Sequence, residues 1–142
     1  MRALLDVNML IALLDAEHVH HELARRWLRQ NIQSGWATCP ITQNGCVRIM
    51  AQPKYSNQLP AALVAERLQD ATRTDQHEFW ADDISLIDTA FVDWSQLIGP
   101  RQITDVYLLA LAVAHHGRFV TFDARIPVSA VSNASDHHLL VI

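Results

Sequence analysis

Three aspartates stand where an apolar run meets a helix. Asp6 closes the run Ala3, Leu4, Leu5, and two residues later Asn8 opens a second apolar run with helical spacing. Asp105 falls in the first turn of the helix expected across RQITDVYLLALA. Asp123 closes the apolar run Phe119 to Phe122, with Thr121 just before it. In an open parallel sheet the ligand crevice lies outside the carboxyl ends of the strands, so all three carboxylates are placed to share one crevice. Like charges gathered in a pocket disfavour ionisation unless they share a cation. Magnesium is the natural choice, with manganese as a substitute, because it takes hard oxygen ligands and needs only one or two carboxylates besides waters and phosphate oxygens. Such an ion activates water for in-line attack at phosphorus, and the reaction class implied is phosphodiester hydrolysis. Each aspartate taken alone also has a reading as a helix cap, and spacing by itself leaves both readings open.

The elements that must position these residues alternate between strand and helix. After the strand and helix of RALLDVNMLIALLD, an amphipathic helix is expected from Glu17 to Ser34, with Val19, Leu23, Trp27, Leu28 and Ile32 as its stripe and Gly35 as its stop. Trp36 to Cys39 reads as a second buried strand and Ile41 to Met50 as a helix; Gln52 to Leu59 reads as a loop, and Pro60 opens a helix through Leu63, Val64, Leu68 and Ala71. Glu78 to Ala81 is expected as a third strand, followed by the acidic corner Asp82, Asp83. Phe91, Trp94, Leu97 and Ile98 suggest a short packed helix between Asp88 and Arg101. Thr104 is expected to cap the helix that carries Asp105, and Gly117 to stop it after His115 and His116. Leu139 to Ile142 reads as a terminal strand, with His137 and His138 before it facing solvent. The fold class expected is α/β, with a mainly parallel central sheet and helices on both faces.

Composition narrows the function. With 142 residues, half of them hydrophobic and only 18% charged, the chain is expected to fold as one domain with a core of its own. The apolar start is too short to span a membrane and lacks a signal cleavage pattern, which points to the cytoplasm. Cys39 and Cys46 read as reduced, buried thiols. A net charge of −4 argues against gripping nucleic acid by bulk positive charge, yet Lys54 is the only lysine and the other basic residues are arginines. Arginine favours bidentate phosphate contacts, so local clusters still permit RNA binding. Arg25, Arg26, Arg29 and Arg125 are the candidates, although the first three also read as a solvated helix face. In HHELAR, Arg25 occupies the place where a HExxH zinc motif needs its second histidine, which removes a metalloprotease reading of His18, His20 and His21.

LLDVNMLIAL, WATCPITQNGCVRIM, RQITDVYLLALA and VTFDARI together resemble the PIN-domain ribonucleases, specifically the VapC toxins of toxin–antitoxin pairs, in the right order over nearly the whole chain. The resemblance implies a three-layer PIN-like fold over residues 1–142 and a magnesium-dependent endoribonuclease that cleaves a structured RNA to leave 5′-phosphate and 3′-hydroxyl ends. It puts the family's first acidic position on Asp6, with Asn8 as its companion, the third on Asp105 and the fourth on Asp123, with Thr121 as the hydroxyl residue. Metal ligation falls chiefly on Asp6 and Asp105, with Asp123 completing the site. It also implies a homodimer and a cognate VapB-type antitoxin whose segment lies in a groove, for which Trp80 and Trp94 are surface candidates. One position departs: the family's glutamate in the helix after strand two aligns with Gln43, and no acid occurs between Glu22 and Glu66. An amide brings no charge and cannot act as a base.

Two enzymatic rivals fit less well. A haloacid-dehalogenase-like phosphatase needs a second aspartate where Asn8 stands, and the four glycines form no phosphate-cradling cluster of a nucleotide-binding fold. The rival of a different class is a PIN fold weakened by Gln43 that serves by binding RNA or the antitoxin.

Overall fold

β1 (Ala3–Leu5), β2 (Trp36–Thr38), β3 (His77–Phe79), β4 (Arg118–Thr121) and β5 (Leu139–Val141) form one parallel sheet in the order β3-β2-β1-β4-β5 in the computed structural model, which describes residues 1–142. β1 is central: Leu4 pairs in register with Ala37 on one side and Phe119 on the other. Its side chains alternate between two cores. Leu4 and Phe119 pack with Val106 and Leu109, whereas Ala3, Leu5 and Val120 pack with Met9, Cys46, Met50 and Val64. Burial on both faces explains why the central strands read as unbroken apolar runs rather than as alternating ones. Burying a leucine side chain in this way contributes about 2 kcal/mol.

The helices are α1 (Val7–Leu14), α2 (His21–Asn31), α3 (Pro40–Met50), α4 (Ala61–Thr72) and α5 (Ile103–Ala114). α5 covers one face of the sheet, buried from Val106 to Ala112 because Ile84, Leu86 and Phe91 pack over the same core. α1, α3 and α4 cover the other face, joined by Ala24 of α2. Helices on both faces of a parallel sheet make this the α/β three-layer architecture that the sequence predicts. No helix is long and apolar enough to cross a membrane.

The structure corrects several expected boundaries. α2 begins at His21, not Glu17, and Val19 is exposed in the turn before it. β3 starts one residue early and ends at Phe79. The packed helix expected between Asp88 and Arg101 is absent. Its place is taken by 3-10 turns at Trp94–Gln96 and Pro100–Gln102, and Ile98 is exposed. Phe91 and Val92 are held by backbone pairing rather than in a helix: Val92 bridges Val131, and Ser132 N donates to the Phe91 carbonyl at 3.0 Å. Trp80, expected at the surface, is buried. α5 starts one residue before Thr104, with Gln102 at the cap. The left-handed residue at its end is His116 (φ 55°). Gly117 is required for space, since a Cβ there would lie 2.6 Å from the Arg2 carbonyl oxygen and 2.6 Å from the Trp80 ring. Cys39 and Cys46 are free and buried, as the sequence predicts.

Candidate active site

The carboxyl ends of β1 and β4 lie side by side, and this brings Asp6 next to Thr121. Asp6 caps α1: its Oδ1 accepts from Val7 N at 2.6 Å, while Oδ2 accepts from Thr121 Oγ1 at 2.7 Å. Thr121 is wholly buried and Asp6 only 6% exposed. Burial raises the Asp6 carboxyl above the ordinary 3.8, against the two hydrogen bonds, and the charge of Asp123 adds to the rise. The cap reading and the site reading of Asp6 are therefore both true of one side chain.

Asp105, the third residue of α5, faces the same cleft as Asp6, Asn8 and Asp123, a space of about 540 Å³. Burial, then repulsion from Asp6 and Asp123, pushes its carboxyl up to about 6, only partly offset by Arg125. Asp123 lies in the turn after β4. Its Oδ1 accepts from Arg125 N at 2.8 Å and Nε at 3.0 Å, and its Oδ2 accepts from Nη2 at 2.9 Å. These bonds hold it below the usual carboxylate range. One of the three acids is thus charge-paired, while Asp6 and Asp105 carry the strain of shared negative charge.

The donors in this cleft are carboxylate and amide oxygens. No three His, Cys, Asp or Glu side chains stand close enough together to hold a metal ion among them. Hard oxygens from a pair of carboxylates with room for waters match a hydrated divalent ion such as magnesium rather than zinc. A further carboxylate borders the cleft: Asp82, part-buried, with Oδ1 shut off from water on the side of the Cys39 thiol. Burial pushes the neighbouring Cys39 thiol up to about 11, with Thr42 opposing and Asp82 adding to the rise.

Gln43 is not in this cleft. Its Nε2 donates to Thr38 Oγ1 at 3.0 Å, and the side chain lines a separate hollow with His77 and Phe79. The reason is the rotation of α3. Gly45 lies against Val7, where a Cβ would stand 2.6 Å from Val7 Cγ2. With that close contact fixed, Ile41, Asn44 and Arg48 form the helix face toward the cleft, and Gln43 and Val47 face away.

The arginines expected at the site divide. Arg25 and Arg29 stand on a mostly apolar groove of about 290 Å³ among α1, α2 and α4, and Arg26 is exposed; none of the three lines the acidic cleft. Arg125 does border it, through a side cavity of about 330 Å³ shared with Arg101, Asp105 and Asp123. Sequence reading missed Arg48 and Arg101. The spacing of Arg48 from Asn44 was the available signal, but it has meaning only once the rotation of α3 is known. His20 stacks on Phe122 with ring centroids 4.6 Å apart, and His21 Nδ1 bonds the Ala12 carbonyl at 2.7 Å, so these histidines fasten the turn before α2.

The model of the PIN domain family matches residues 3–131. The chain belongs to the PIN-domain family. Within it, the chain is 53% identical over 142 residues, all of both sequences, to a protein of Mycobacterium tuberculosis (strain H37Rv) named Ribonuclease VapC44. It is 45% identical to Ribonuclease VapC39 of the same strain over 132 residues, 92% of this chain and 94% of the relative. This PIN domain is accordingly of the VapC toxin type. Its fold resembles a solved structure of VapBC2 from Rickettsia felis bound to a DNA fragment from their promoter, with TM-score 0.62, 13% identity, and coverage of 100% of this chain and 98% of that one. It also resembles M. tuberculosis VapC20, described as a sarcin-ricin loop cleaving toxin, with TM-score 0.62, 16% identity, and coverage of 87% and 91%.

Proposed function

We propose that this chain acts over residues 1–142 as a single PIN domain, a magnesium-dependent endoribonuclease toxin that hydrolyses RNA phosphodiester bonds. The observation that carries the reading is the meeting of Asp6, Asp105 and Asp123 on one cleft, with Asp105 pushed up to about 6 by burial and by its acidic neighbours. A divalent cation is the partner such a group stabilises. The names of the relatives at 53% and 45% identity, both ribonucleases, support RNA as substrate.

Asp6 and Asp105 would hold the ion, with Asp123 completing the acidic set; manganese would substitute for magnesium. When bound, the ion would polarise a phosphoryl oxygen and lower the pKa of a water. Thr121 fixes the Asp6 carboxylate by its hydrogen bond, and Arg125 fixes Asp123. Asn8, exposed on the first turn of α1, offers an amide to orient water or phosphate. Arg48 on one side of the acids and Arg101 with Arg125 on the other are placed to take the flanking phosphates of a single RNA strand. Gln43 does not argue for a binding-only role, because its side chain is bonded to Thr38 outside the cleft.

A cytoplasmic homodimer held in check by a cognate VapB-type antitoxin completes the reading. The apolar groove among α1, α2 and α4, with Arg25 and Arg29 at its edge, suits the antitoxin segment.

The test is cleavage of a total RNA pool by purified protein with magnesium, wild type beside D6N, and a chelator control. Discrete chelator-sensitive fragments with 5′-phosphate ends are expected from the wild type and none from folded D6N. Undiminished cleavage by D6N would overturn the assignment.

A further inference from the structure

The side cavity of about 330 Å³ beside the acids is walled by two loops that one side chain ties together. Gln102, at the cap of α5, accepts from Ile98 N through Oε1 at 3.2 Å and donates from Nε2 to the Arg125 carbonyl at 3.1 Å. The loop before α5 and the turn after β4 are thereby braced against each other. Asp105 and Asp123 line this cavity and the acidic cleft alike, so the two spaces meet at the acids.

The two walls differ in chemistry. On the loop before α5, Ile98, Gly99 and Pro100 offer no polar side-chain atom, and Ile98 is 89% exposed. On the turn after β4, Arg125 gives one edge of its guanidinium to Asp123, Nε to Oδ1 and Nη2 to Oδ2, and its backbone N bonds Oδ1 as well. A forked pair of this kind fixes the plane of the guanidinium. With that edge taken and the side chain still 82% exposed, Arg125 presents its flat faces and its Nη1 end. A pinned planar cation and an uncharged wall around one small cavity suit a nucleobase, because bases splayed out of single-stranded RNA stack on arginine planes. A further phosphate suits it less, since the inner end of the cavity carries two carboxylates. The volume lies at the low end of ligand pockets, roughly 300–1,000 Å³, which points to a single base.

We infer that this cavity is a base subsite: a nucleotide next to the scissile phosphate turns its base out of the strand and lays it on the Arg125 guanidinium, bordered by Ile98 and Pro100. The inference rests on the proposed RNA-cleaving reading of the cleft. Arg101 and the Nη1 end of Arg125 stay available for phosphates of the same strand. Phosphate contacts alone carry no sequence information, whereas a stacked base selects an unpaired nucleotide at one position. The subsite thus favours loops over paired stems.

Binding of a short single-stranded RNA in the D6N background, where the strand is expected to survive, tests this without relying on activity. The RNA spans a cut mapped with the wild-type protein and is made as a series in which one nucleotide at a time lacks its base. D6N and D6N/R125K are titrated with the whole series, with folding checked by thermal melts. Lysine keeps the charge and loses the plane, and the exposed position accommodates it. In D6N, removing the base at one position beside the cut should weaken binding about threefold to thirtyfold, the range of a cation resting on a π face. In D6N/R125K the same removal should leave affinity unchanged. An equal penalty in both proteins overturns Arg125 as the platform, and a series with no sensitive position overturns the subsite; either result leaves the RNA-cleaving reading intact. Absence of magnesium-dependent cleavage by the wild type overturns that reading, and this inference with it.

Discussion

Thr121 Oγ1 donates to Asp6 Oδ2 at 2.7 Å, a bond between buried groups 115 residues apart that ties the end of β4 to the end of β1. The hydroxyl offsets part of the burial that raises the Asp6 carboxyl. T121V keeps the shape and removes the donor, leaving a buried carboxylate oxygen short of a partner. The expected cost is about 1–3 kcal/mol. Divalent-ion affinity should fall as well, because Asp6 is then harder to ionise. T121S retains the donor and should stay near wild type in both. Melting curves and ion titrations on the two variants check this; equal behaviour of valine and serine would show that the bond does not matter.

Asp105 titrates in the metal-free protein at about 6 rather than 3.8, chiefly through burial and then through Asp6 and Asp123. A raised folded-state value means that the folded chain binds this proton more tightly than the unfolded chain. The resulting stabilisation is fully present below 3.8 and is lost as pH rises through about 6. The chelated protein should therefore lose part of its thermal stability between pH 4 and pH 7, and D105N should remove the share that Asp105 contributes, leaving that of Asp6, whose carboxyl is raised as well. Saturating magnesium at pH 7 should restore stability by binding the charged form. A carboxyl carbon titration by NMR should show the inflection near 6 and its fall on adding magnesium.

Gly45 lets α3 approach α1 so closely that a Cβ would stand 2.6 Å from Val7 Cγ2. G45A gains helix propensity of up to about 1 kcal/mol but meets that contact, and overpacking of this kind costs about 1–3 kcal/mol. G45A is expected to melt lower than wild type. V7A should relieve it, so the double variant is more stable than the sum of the single effects. Strict additivity in this cycle would mean that Val7 is not what limits residue 45.

How much of this was legible beforehand depended on whether a feature is local. β1 and β4 showed themselves because both faces are covered, which leaves an apolar run ending at an acid: Asp6 and Asp123 were readable for that reason, and Asp105 from its place in the first turn of α5. β3 was faint because it is an edge strand with exposed Glu78 and Phe79. The face of α3 was not readable, since its rotation is set by Gly45 against Val7, two residues from different elements. Asp82 was visible only as an acidic corner. Its position depends on Trp80 stacking on His115, a contact across 35 residues that no local spacing encodes.

A second hollow of about 550 Å³ lies away from the acids, between the end of α1 and the loop after α3. Its wall is a latch around buried Asp15, which accepts from the Tyr55 hydroxyl, from Asn57 Nδ2 at 2.8 Å and from Glu17 N at 3.0 Å. Burial pushes Asp15 up, but these bonds and His18 bring it below the usual 3.8. A depressed value contributes stability above 3.8 that is lost as pH falls through the folded value. D15A leaves three donors without their acceptor and should cost about 2–4 kcal/mol. Because the latch is outside the cleft, manganese affinity at a temperature where D15A is folded should match wild type. A large loss of affinity would mean that the latch and the acidic site are coupled.

Arg48 and Arg101 are free of the ion pairs that hold Arg2, Arg73 and Arg125, and they flank the acids on opposite sides. Phosphate contacts release counterions, so each contact contributes roughly 0.7 to the slope of log affinity against log salt for a single strand. RNA binding is best followed in the D6N background, where the substrate is expected to survive. R48A and R101A should each weaken binding and reduce that slope by about one contact, with nearly additive effects because the residues lie on different walls. Arg25 and Arg29 sit on the apolar groove instead, so R25A/R29A should leave the slope unchanged. The reverse pattern would move the RNA path off the acidic cleft and onto the groove among α1, α2 and α4.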